Sequence, residues 1–440
     1  MGTTLGEGPA HAAESVAFPQ GGRRAAALLL SGVHQGAPAP QPRPGIAGST
    51  LCLPEPVPAR APRREVPVLL RITNAARPYP WGSYDAIAAF RALPPSGGPE
   101  AEVWLGTHPG SPALLADEPG TTLAAWLAEH RPGVAVPFLV KILAAAAPLS
   151  LQAHPTPEQA RAGFAREEAA GIPVDAPHRN YRDDNAKPEM IVALSDPFLA
   201  LCGFRPVAEA RAELAAVGDA RLAPLVERLV DESALREVVP WLLRRGPEVD
   251  GVVDALREWS EGDRSLTAST VRRLAAAYPG DPGVAISTLM HTVSLAPGEA
   301  LYLPAGNLHA YLEGLGIEVM ATSDNVLRGG LTSKHVDVDE LLRVVDFRPI
   351  TEPRMRPAVE GARRVFRPDV PDFAVQVVTV AGAEETVPLS GPAIVISIGG
   401  DCRLDDGATL RRGEAAYVDE RAALLVGGTG TLLVATANAV

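Results

Sequence analysis

The stretch "PGEALYLPAGNLHAYL", residues 297–312, decides how the rest of the chain is read. Gly298 is followed by five residues, then by Pro304, Ala305 and Gly306, and after two more by His309. Proline fixes one backbone torsion and glycine tolerates the left-handed region, so the middle of the stretch reads as a tight turn between two strands. Apolar alternation on either side has the period of half-buried strands, and it puts His309 at the start of the second strand, pointing inward. Taken alone, the stretch fits a packed histidine in a hairpin equally well.

Two other stretches carry similar signals. In "PLSLQAHPTPEQ", residues 148–159, Gln152 and His154 stand at i and i+2 of a strand and share a face, either as a core histidine with its partner or as two donors into one interior. In "YRDDNAKPEMIVAL", residues 181–194, Glu189 follows Lys187 and Pro188 at the start of an apolar strand. An ionised carboxylate there needs a cation or several donors to offset its desolvation. Gln152, His154, Glu189 and His309 together make a set of nitrogen and oxygen donors suited to zinc. The amide oxygen is the weakest of them and leaves the metal Lewis acidic and open.

Composition narrows the alternatives. A net charge of -12 and a pI near 5.3 argue against binding nucleic acid through a basic surface, although one local pocket can still be basic. Cys52, Cys202 and Cys402 are far apart and form no CxxC, which argues against a disulfide framework and points to a reducing, cytoplasmic setting. No apolar run reaches the length of a membrane span, and "GGRRAAALLLSGV" is too late and too short for a signal peptide. The sequence sets no oligomeric state; a monomer is compatible with it.

Along the chain, residues 1–66 are rich in Ala, Pro, Gly and Arg without a sustained period and are expected to be disordered. Residues 67–205 alternate short apolar runs with turn signals. From 206 to 282 the period becomes helical, with Leu235, Val238, Val239 and Leu242 on one stripe. Strand character returns over 283–347, and residues 348–440 read as many short strands with glycine turns. The expected fold is mainly β: two β units with a helical insertion, the second unit lacking any histidine after His335.

The stretch at 297–312 resembles the second metal-binding motif of cupins, small double-sheet jelly rolls that hold a metal inside the barrel. Together with "YPWGS", "FLVKILAAAAPLSLQAHPTPEQA", "NYRDDNAKPEM" and "GIEVMATSDNVLRGGLTSKHVDVDEL", it resembles type I mannose-6-phosphate isomerases from about residue 68 to the end. The resemblance implies a cupin catalytic domain and a C-terminal cupin-like domain. It also implies one zinc ion held by Gln152, His154, Glu189 and His309, and a small sugar phosphate as substrate. It places Arg328 and Lys187 in the active site as catalytic and substrate-binding groups, with Glu318, Asp324 and Glu102 lining the same cavity. The reaction implied is an aldose–ketose interconversion through an enediol, with Glu318 favoured over Lys187 or Asp324 as the proton carrier. One departure stands out: Ala186 occupies a position where the family commonly has histidine before the lysine of "KPEM". The alternatives are an isomerase of the same fold for another sugar phosphate, or a cupin that binds a sugar phosphate without turnover. A metal-dependent dioxygenase is disfavoured, because its usual two-histidine, one-carboxylate site has no use for Gln152.

Overall fold

Alternation along the strands sorts side chains to the two faces of one central sheet. The computed structural model describes residues 68–419 and 421–438. Its central sheet is antiparallel, in the order Ala300–Leu303, Glu189–Ala193, His309–Ala321, Phe138–Ala145, Glu102–Leu105 and Ala76–Arg77. Register sets Glu318 opposite Lys141, and Glu189 opposite Met320. Glu102, Lys141, Glu189 and Glu318 therefore share one face. The residues between them, Val103, Val140, Ile142, Met190, Val192, Ile317 and Val319, form the other face and are buried.

That apolar face packs on a second sheet built from the C-terminal strands, through Phe366, Phe373, Val375, Ile394, Ile396, Tyr417 and Leu433. Each fully buried aliphatic side chain there contributes about 1.5–3 kcal/mol. The far side of the C-terminal sheet closes over an interior of Val378, Val387, Val395, Leu404, Leu424 and Val434. Its filling is aliphatic apart from the buried thiol of Cys402. Here the structure differs from the order of the sequence: Leu69–Thr73 pairs with Ala415–Val418 and so joins the C-terminal sheet instead of the central one.

The strand His309–Ala321 takes part in two sheets. Gly316 to Met320 pair with Glu189–Ala193, whereas His309 to Glu313 pair with Phe198–Phe204, and His309 pairs with Gln152. The change comes at Gly314, which has φ +124, and a Cβ there would lie 2.8 Å from the ring of Phe198. Only glycine fits such a corner. The result is a barrel with the charged face of the central sheet directed inward. Its smaller wall is backed by a helical core in which Leu201, Phe204, Ala310 and Leu327 pack among Leu235, Val239, Leu256 and Leu274. The helices of this core run from Val207–Ala216 to Gly283–Ser287. The expected disordered segment, residues 1–66, lies outside the described residues.

Beside the barrel, a buried glutamate joins three segments. Glu340 accepts hydrogen bonds from Tyr181 Oη (2.7 Å), Arg166 (2.6 Å) and Arg343 (2.7 Å). Burial alone would push its carboxyl up, but these bonds outweigh it and hold the group below the usual range. A depressed folded-state pKa contributes stability that is present above the unfolded value and lost as pH falls through the folded one. Urea midpoints measured between about pH 6 and 3 should therefore fall, and Glu340→Gln should be less stable at pH 6 with a flatter acid limb.

Candidate metal centre and substrate cleft

His154, Glu189 and His309 bring one ligand atom each to within 4.8 Å of the others, and all three are buried. Three different elements supply them. Glu189 opens its strand, His309 follows the turn at Pro304–Gly306, and His154 follows the two-residue strand Gln152–Ala153. The turn is tied to His154 directly, because Gly306 N donates to the His154 carbonyl at 2.8 Å. Gly306 has φ +80, the left-handed conformation that the sequence required at that point.

The protonation of both imidazoles follows from their partners. His154 Nδ1 lies 2.7 Å from the carbonyl oxygen of Asn325, and His309 Nδ1 lies 3.0 Å from that of Asn307. A carbonyl only accepts, so each Nδ1 carries a proton and each Nε2 is turned to the centre. Those two Nε2 atoms face Glu189 Oε2 at 3.3 and 3.2 Å. Burial pushes the His154 imidazolium down to about 4 against the opposing pull of Glu189, so the ring is neutral at pH 7. Its Nε2 is buried and makes no hydrogen bond among the described residues. The His154 lone pair and a carboxylate oxygen pointing at one another repel unless a cation lies between them, and two imidazoles with a carboxylate suit zinc. The donor set fits the ion.

Gln152 completes the approach. It pairs with His309 across the strands and lines a small cavity of about 60 Å³ together with Glu102, Lys141, Lys187, Glu189, His309, Tyr311 and Glu318. Lys187 Nζ sits 2.8 Å from the second oxygen of Glu189. Glu102 accepts from Trp104 Nε1 at 2.7 Å. Tyr311 faces inward with His309, as the alternation requires, and its hydroxyl is buried without a hydrogen-bond partner among the described residues.

Sequence reasoning missed Lys141. Within "FLVKIL" it reads as the single polar residue of an apolar strand, yet its Nζ lies 2.9 Å from Glu318 and 3.9 Å from Glu102. Burial alone would lower its pKa, but Glu102, Glu318 and Glu189 overcome this and hold it well above the usual range. It is a fixed ammonium. Burial raises the Glu318 carboxyl, and the neighbouring carboxylates of Glu189 and Glu102 reinforce this against the pull of Lys141.

The small cavity opens into a cleft of about 670 Å³ that also reaches Trp81, His108, Tyr278, Asp324, Arg328 and Lys334. Burial and the nearby charge of Arg182 lower the Arg328 guanidinium. Burial, Arg328 and Arg182 lower the Lys334 ammonium in the same way. Among the described residues none of these three cations forms an ion pair or a side-chain hydrogen bond, so this end of the cleft is electrostatically arranged for an anion. Arg328 was expected from the sequence. Lys334 and Arg182 were not, although both lie inside the quoted runs "GIEVMATSDNVLRGGLTSKHVDVDEL" and "YRDDNAKPEMIVAL". Asp324 lies at the rim, half-exposed, with His108 Nε2 3.6 Å away.

A two-sheet jelly-roll barrel that holds two imidazoles, a carboxylate and a glutamine at its centre is a metal-binding cupin. Residues 69–207 match the model of the phosphomannose isomerase type I catalytic domain. Mannose-6-phosphate isomerase of Escherichia coli K12 is 36% identical over 371 residues, covering 79% of this chain and 94% of its own. That of Salmonella typhimurium LT2 is 35% identical, covering 82% and 98%. A solved variant of the Salmonella typhimurium phosphomannose isomerase superposes with a TM-score of 0.77 at 32% identity, over 84% of this chain and 99% of that one. A zinc-bound mannose 6-phosphate isomerase gives 0.76 at 33%, with the same coverage. The chain belongs to the type I phosphomannose isomerase family.

Proposed function

We propose that the protein is a zinc-dependent isomerase that interconverts mannose 6-phosphate and fructose 6-phosphate. The observation that carries this is the convergence of two imidazole Nε2 atoms and the Glu189 carboxylate at the floor of a cleft with cations at its other end. His154, Glu189, His309 and Gln152 hold the ion. Zinc, when bound, supplies a Lewis acid that polarises the oxygens beside it.

The chain's own residues do the rest. Arg328 and Lys334, with Arg182 behind them, anchor the phosphate by charge-assisted hydrogen bonds. That anchor and the buried floor fix C1 and C2 of the open-chain sugar near Glu318 and the two lysines. Glu318 takes the proton from C2, the electron pair forms the C1–C2 double bond, and O1 gains a proton. The same carboxyl then returns its proton to C1 while O2 loses one and becomes the ketone oxygen. Lys141, a fixed ammonium, and Lys187 lie beside the developing enediolate and stabilise it. Glu102 orients Lys141, and Asp324 borders the cleft beside His108.

Residues 67–205 and 283–347 form the catalytic cupin unit in this proposal, with 206–282 as a helical insertion and 348–440 as a C-terminal cupin-like unit. The C-terminal interior, with its own apolar core, supports that division, except that Leu69–Thr73 belongs to the C-terminal sheet and that the helices, Gly283–Ser287 among them, share their core with the barrel wall. We assign the cytoplasm as its compartment, a choice supported by Cys202 and Cys402, which are buried free thiols. No described helix is long and apolar enough to cross a membrane.

A coupled assay of mannose 6-phosphate conversion, run with and without a chelator, tests the function. Turnover should disappear on chelation and return with added zinc, and Arg328→Ala should lower kcat/KM by about 100-fold or more. Absence of turnover in zinc-loaded, folded protein would refute the assignment.

A further inference from the structure

Asn325 does not line the cleft and holds no ion, yet it is fully buried and every polar atom of its side chain is used. Its Oδ1 accepts from the backbone N–H groups of Arg182 (2.7 Å) and Asp183 (3.2 Å). Its Nδ2 donates to the carbonyls of Asp183 (2.8 Å) and Asn185 (2.9 Å), and lies 3.3 Å from Asp183 Oδ1. Asp183 returns the contact by accepting from Ser323 Oγ and from the Asp324 N–H, both at 2.8 Å. The segments 182–185 and 323–325 are thus stitched together. The first runs on into Lys187 and Glu189. The second runs on into Leu327–Arg328, which pairs with Gln152–Ala153.

The main-chain carbonyl of the same asparagine is what His154 Nδ1 bonds. The two imidazoles differ in this respect. His309 is oriented locally, by the carbonyl two residues before it. His154 is oriented by a carbonyl 171 residues away, so its ring is fixed only while segment 323–325 stays docked. A hydrogen bond to the remote nitrogen of a ligating histidine sets its tautomer, its orientation and its strength as a donor.

We infer that Asn325 is a positioning residue: by locking segment 323–325 to segment 182–185 it holds the carbonyl that aims His154, and so sets the zinc affinity of the centre. The inference rests on His154 being a zinc ligand. Aspartate has nearly the same shape but would turn an oxygen toward the carbonyls of Asp183 and Asn185, where two donors are needed.

The test uses the full chain with Asn325→Asp and, as reference, His154→Ala. Zinc dissociation constants are measured by competition with a chromophoric chelator, and the absorption of the cobalt-substituted protein is recorded. Asn325→Asp should bind zinc about 10–100-fold more weakly and show altered cobalt bands, with kcat recovering as zinc is raised to saturation. Wild-type affinity and an unchanged cobalt spectrum in folded Asn325→Asp would overturn the inference. If that variant does not fold, Asp183→Ala cuts the same stitch from its more exposed side and should weaken zinc several-fold; unchanged affinity there overturns the inference as well. Undiminished zinc binding by His154→Ala would instead overturn the ligand assignment on which it rests.

Discussion

Replacing Glu189 by alanine is expected to leave the protein without zinc after dialysis. One of four donors is lost, about a quarter of the ~10–16 kcal/mol that a structural four-ligand zinc site supplies, so affinity should fall by about 10²–10³-fold. The damage does not stop at the ion. Glu189 Oε1 also holds Lys187 at 2.8 Å, and without it a buried ammonium loses its counter-charge. Zinc content by elemental analysis and the binding constant by titration measure the first effect. Restoration of the ion but not of turnover at high zinc would measure the second. Stoichiometric zinc in dialysed Glu189→Ala would show that the ion sits elsewhere.

Glu318→Gln should have the opposite profile, with full zinc and little turnover. Its amide oxygen can still accept from Lys141 Nζ, which lies 2.9 Å from the native carboxylate, so the floor of the cavity should keep its shape. What the amide cannot do is carry a proton. A fall in kcat of about 10²–10⁴ with KM within a few-fold is the expected result. Exchange of the transferred hydrogen with solvent deuterium should slow in step. A Glu318→Gln enzyme within tenfold of wild type would move the proton carrier to Lys187 or Asp324.

The proposed metal donors were legible because each is announced within a few residues. Gly298, Pro304 and Gly306 fix a turn that delivers His309 inward, and the i, i+2 spacing of Gln152 and His154 puts both toward the same interior. Glu189 stands where an apolar strand would otherwise tolerate no carboxylate. The division into strands, helices and strands again was visible in the change of hydrophobic period.

The groups that the sequence concealed are those whose meaning comes from distant partners. Lys141 is one lysine in an apolar run until the register with Glu318, 177 residues away, surrounds it with carboxylates. Lys334 and Arg182 look like surface charges until Arg328 is folded beside them. The strand Leu69–Thr73 reads as the start of the first barrel, yet it pairs with Ala415–Val418 at the far end of the chain. Asn325 is an ordinary polar residue before a short strand until 182–185 is docked on it. Local periodicity and turn chemistry fix which face a side chain takes, because they act over a few bonds. Which faces meet is decided by burial and pairing across the whole chain, and charge, burial and ligand geometry exist only once they have met.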